Sequence, residues 1–81
     1  MSKSLTIETI AEIYMKSYPE CMGVTITNVY ADGFEIHLHN VPMDSVGVGL
    51  KARMLGMKMF SSGTRGKNDS VYTLLCRDIF L

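Results

Sequence analysis

Eighty-one residues, 47% of them apolar and with no net formal charge, make one domain's worth of chain, spanning residues 1–81 and folding around a thin core. Neutrality, with an isoelectric point near 6.7, excludes the global field that draws strongly basic proteins to nucleic acid or anionic membranes. No apolar run approaches the roughly 20 residues of a membrane-crossing helix, and so apolar a chain is not a disordered one.

The charge is unevenly laid out. Residues 1–41 hold Lys3 and Lys16 against Glu8, Glu12, Glu20, Asp32 and Glu35, whereas residues 42–81 hold six basic residues against Asp44, Asp69 and Asp78. Seven methionines supply flexible, polarizable side chains suited to filling a core or coating an adaptable surface. Cys21 and Cys76 have no metal-ligand spacing, and the start of the chain has no apolar leader segment, so free thiols in a cytoplasmic protein are expected.

The first element is a helix. Ile7, Ile10, Ala11, Ile13, Tyr14 and Tyr18 recur at three- and four-residue steps, Thr6 or Ser4 can cap the start, and Pro19 stops the helix at Tyr18. A hairpin follows, from Val24–Tyr30 and Phe34–Asn40. A three-residue loop at Ala31-Asp32-Gly33 would put Val24, Ile26, Tyr30, Phe34, Ile36 and Leu38 on one face. Thr25, Thr27, Val29, Glu35, His37 and His39 would then face water.

Pro42 and Asp44 open a second helix, capped by Asp44 or Ser45, with Val46, Leu50 and Met54, extended by Met57, as its expected core stripe. Gly47 and Gly49 weaken it by about 1 kcal/mol each relative to Ala, which points to a close approach of packed groups. Gly56 ends it, and a second hairpin runs from Met57–Ser61 to Ser70–Asp78 across a glycine-rich linker, 62–69, expected to be mobile. The chain therefore repeats a helix-plus-hairpin unit. The fold class is α+β in the order αββαββ, a four-stranded antiparallel sheet with both helices on one face.

Chemistry-bearing groups are few. His37 and His39 share one strand face with Glu35, the only metal-ligand spacing in the chain, but the ordinary reading is a wet sheet face, and neither metal nor cofactor is expected. No nucleophile elbow or phosphate loop is present, and the acids sit at helix starts, in turns or on polar faces, so no enzyme is expected. Two surfaces suit binding instead. Lys58, Arg65, Lys67 and Arg77 form a basic second hairpin able to meet a phosphate or an acidic partner. Ile79, Phe80 and Leu81 make an apolar end that either extends the last strand or offers an edge to another chain.

The segment from Leu50 to Arg77, with its Leu55-Gly56-Met57 junction, resembles the double-wing DNA-binding domain of phage middle-promoter activators. That resemblance is one of topology and implies no function by itself; the small size, high methionine content and self-contained fold suit a phage or mobile-element regulator. The residues themselves point first to a small regulatory protein that binds another protein, or itself as a homodimer. Nucleic-acid binding through the basic hairpin is the alternative.

Overall fold

A computed structural model describes residues 6–75. The elements are α1 (Ile7–Ser17), β1 (Gly23–Tyr30), β2 (Gly33–His39), α2 (Ser45–Met54), β3 (Lys58–Arg65) and β4 (Asp69–Leu75). The two hairpins join through their inner strands into one antiparallel sheet of order β1-β2-β4-β3. Ile36 lies opposite Tyr72 at the centre of that junction. The α+β class and the αββαββ order match the sequence expectation.

Both helices pack on one face. Ile10 and Tyr14 of α1 and Val48 and Ala52 of α2 are buried against Phe34, Ile36 and Leu38 of β2 and Tyr72 and Leu74 of β4. Thr6 caps α1 by accepting from the Thr9 N–H at 3.1 Å, and the helix closes at Tyr18, next to Pro19. Asp44 caps α2 by accepting from the Gly47 N–H at 3.1 Å.

At the far end of α2, the Met57 N–H donates to the Ala52 carbonyl at 2.7 Å and the Gly56 N–H to the Arg53 carbonyl at 3.1 Å. Gly56 has φ +84°, which completes a Schellman stop, and both Met57 and Ala52 are buried beside it.

A chain of hydrogen bonds crosses the core. The Asp44 N–H donates to the Tyr72 hydroxyl at 3.0 Å, Tyr72 to Ser70 Oγ at 2.7 Å, and Ser70 to the Val41 carbonyl at 2.8 Å. No buried side-chain nitrogen or oxygen among the described residues lacks a partner. So small a core tolerates polar groups because each is paired.

Three local expectations are corrected. The first hairpin turns on two residues, Ala31 and Asp32, with Tyr30 opposite Gly33 instead of Phe34. A bulge between Ile26 and Asn28 takes up the odd residue, so Val24 and Ile26 keep the core side while Tyr30 moves to the open face. Val29 now lies opposite Phe34 and remains 62% exposed. Gly33 is not needed for a left-handed turn: it is buried, and a Cβ there would run into the Leu74 carbonyl of β4.

The second correction concerns residues 62–69. β3 runs on to Arg65 and β4 begins at Asp69, so only Gly66, Lys67 and Asn68 form the turn, with Gly66 at φ +73°. Strand pairing uses the polar residues that composition assigns to a linker. Third, Val46, Leu50 and Met54 do not form the core stripe of α2; Val48 and Ala52 do. The Tyr14 hydroxyl donates to the Val48 carbonyl at 2.9 Å, and Tyr18, the C-cap of α1, donates to the Asp44 carboxylate at 2.8 Å, so the inward side of α2 is bonded to α1 and its cap.

Candidate functional site

Rotating α2 in this way leaves an apolar row in solvent. Val46, Leu50 and Met54 stand one turn apart and are 71%, 56% and 78% exposed. Such a row on a helix of this fold is uncovered surface of the kind that marks association sites. Gly47 lies on one side of it, where the Asp44 carboxylate and the Tyr18 hydroxyl fill the space beside the backbone, and Gly49 on the other. The nearest cations on the helix are Lys51 and Arg53, in its last turn.

The opposite side of the molecule is the open face of the sheet. Strand register lays its side chains out in cross-strand rows. Tyr30, Gly33, Leu75 and Lys58 make one row; Glu35, Thr73 and Ser61 another; Thr25, His37, Val71 and Gly63 a third. Gly23 lies opposite His39, and Arg65 opposite Asp69, at the far end. Each edge strand has a register shift beside the Glu35–Thr73 row, between Ile26 and Asn28 on β1 and between Met59 and Ser61 on β3. Bulges there bend both edges and blunt them against pairing with another sheet. Between them lies an open groove of about 380 Å³ lined by Tyr30, Glu35, Phe60, Ser61, Thr73 and Leu75.

Glu35 is held from one side. Its carboxylate accepts from Asn28 Nδ2 at 2.9 Å, from the Tyr30 hydroxyl at 2.9 Å and from Thr27 Oγ1 at 3.1 Å. Donation by Asn28 first, then by Tyr30, favours the ionised form and holds its pKa below the ordinary value. Glu35 is therefore committed to β1.

His37 and His39 lie on this open face, as the alternation of β2 requires, while Ile36 and Leu38 are buried beneath. Their acidic neighbour is Asp69, from the start of β4, which is 32 residues away from His37 in the chain. Asp69 Oδ2 lies 3.2 Å from His37 Nε2 and 3.4 Å from His39 Nδ1. The two rings stack with centroids 4.1 Å apart. The Asn40 N–H donates to Asp69 Oδ1 at 2.9 Å, and His39 Nε2 sits 2.7 Å from Thr25 Oγ1. The carboxyl of Asp69 is held below its ordinary pKa, by the Asn40 N–H first and then by the two imidazoles.

The residue missed by sequence reasoning is Asp69. Its only signal is its place beside a hairpin turn, and its approach to the histidines depends on β2 pairing with β4.

The basic hairpin is less concentrated than its composition suggests. Arg65 and Lys67 sit at the β3–β4 turn, whereas Lys58 begins β3 at the other end, about 23 Å away for seven strand steps. Arg77, Ile79, Phe80 and Leu81 lie outside the described residues. Among the described residues, no helix is long and apolar enough to cross a membrane. No family model, curated protein or solved structure matches this chain.

Proposed function

We propose that this chain is a small non-catalytic regulatory protein of the cytoplasm that acts by protein–protein association, with α2 as its contact element and a second copy of itself as the first partner. The observation that carries this reading is the exposed row Val46, Leu50 and Met54. Residues four apart form the ridge that packs into the matching groove of a second helix. In an antiparallel pair centred on Leu50, Val46 meets the partner's Met54, and the ridges close on each other as an isologous contact.

Sedimentation equilibrium tests the proposal. The wild-type mass should rise towards twice the monomer with concentration, and Leu50→Glu should remain monomeric with an unchanged far-UV spectrum. A wild-type chain that stays monomeric, or an L50E chain that dimerises equally well, overturns it.

The alternative, contact with a nucleic-acid backbone, has in its favour the exposed Arg65 and Lys67 at one hairpin tip. Retardation of DNA or RNA at low salt that disappears in Arg65→Ala/Lys67→Ala would support this second surface.

A further inference from the structure

We infer that His37, His39 and Asp69 form a binding site for a divalent transition-metal ion of the zinc class on the open face of the sheet. The ligand atoms of the three residues lie within 4.8 Å of one another. Two of the edges are measured directly, 3.2 Å from His37 Nε2 to Asp69 Oδ2 and 3.4 Å from His39 Nδ1 to the same oxygen. An ion about 2.0–2.1 Å from each ligand in tetrahedral geometry sets neighbouring ligands about 3.3–3.4 Å apart. These two edges therefore have nearly the spacing that coordination requires, and two imidazoles with one carboxylate make a donor set suited to zinc.

The surroundings orient each ligand. Asp69 spends Oδ1 on the Asn40 N–H, which leaves Oδ2 turned to the histidines. His39 has Thr25 Oγ1 at 2.7 Å from Nε2; with the proton on Nε2 donated to Thr25, Nδ1 is left as a free electron pair towards the ion. Outer partners of this kind fix a metal-bound imidazole's tautomer and ring angle. Thr25 is thus a positioning residue. The side chains of His39 and Asp69 are 37% and 34% exposed, so an ion can enter from solvent, and water completes its coordination. The site lies on the sheet face away from the helices and does not depend on association through α2.

Calorimetric titration of the full chain with zinc ion alone, at neutral pH, tests the assignment. One ion should bind per chain. His37→Gln/His39→Gln and Asp69→Asn should each weaken binding at least about tenfold, and Thr25→Val should weaken it about tenfold while Thr25→Ser restores it. Cys21→Ser/Cys76→Ser should bind as the wild type does. Far-UV spectra establish that each variant is folded. No zinc binding by the wild-type chain, undiminished binding in His37→Gln/His39→Gln, or loss of binding in the double cysteine variant overturns the site.

Discussion

The hydroxyl of Tyr14 donates to the backbone carbonyl of Val48 at 2.9 Å, a bond between residues 34 apart that joins the two helices inside the core. Both residues are fully buried. The bond ties α1 to the buried side of α2. The apolar row Val46, Leu50 and Met54 then has nowhere to go but outward.

Tyr14→Phe keeps the ring and removes only this donor. The expected loss is about 0.5–1.5 kcal/mol, the net worth of one buried hydrogen bond. Urea unfolding should show a lower midpoint with an unchanged slope, since the surface exposed on unfolding is the same. An unchanged midpoint would mean that the helices are oriented by apolar packing alone.

The same phenol sets an alkaline limit. Burial raises the pKa of Tyr14, and burial followed by the hydrogen bond to Asp44 raises that of Tyr18, both from an ordinary 10.0. The unfolded chain loses these protons near its ordinary value while the folded chain holds them. Their contribution to stability is therefore whole below pH 10 and is lost as pH rises through the folded values. Denaturation midpoints followed from about pH 9 to pH 11 should begin to fall near the ordinary phenol value. Tyr18→Phe should make the fall shallower, and a profile identical to wild type would contradict the assignment.

The two glycines of α2 should respond in opposite directions to alanine. At Gly47 a Cβ would strike the Asp44 carboxylate and come within 2.8 Å of the Tyr18 hydroxyl, so Gly47→Ala disrupts the cap and should destabilise despite the better helix propensity of alanine. At Gly49 the nearest atom is Met59 Cε at 3.5 Å, an ordinary contact, so Gly49→Ala should stabilise by up to about 1 kcal/mol. Thermal midpoints of the two variants decide the point; a stabilised Gly47→Ala chain would refute the crowding around Asp44.

Much of this architecture is legible from residue order. Period-two alternation separates Ile36 and Leu38 from His37 and His39, and the structure keeps that division. Caps and stops at Thr6, Asp44 and Gly56 are local chemistry, decided within a few residues, and they stand where the chain places them. The turn of the first hairpin is not legible in this way. A bulge at one position inverts the parity of every later side chain, and alternation alone does not reveal the inserted residue. Tyr30 crossed to the open face for that reason.

What the chain order settles by itself is the set of elements, their sequence and the greasy side of β2, because these follow from interactions between near neighbours and from the alternating directions of strand side chains. Tertiary structure alone decided which side of α2 is buried, since Val46, Leu50 and Met54 are as apolar as the residues that won the core, and the buried side is the one that packs on the sheet and accepts from Tyr14 of α1. It also brought Asp69 to the two histidines, because only the pairing of β2 with β4 closes the distance between residues so far apart in the chain.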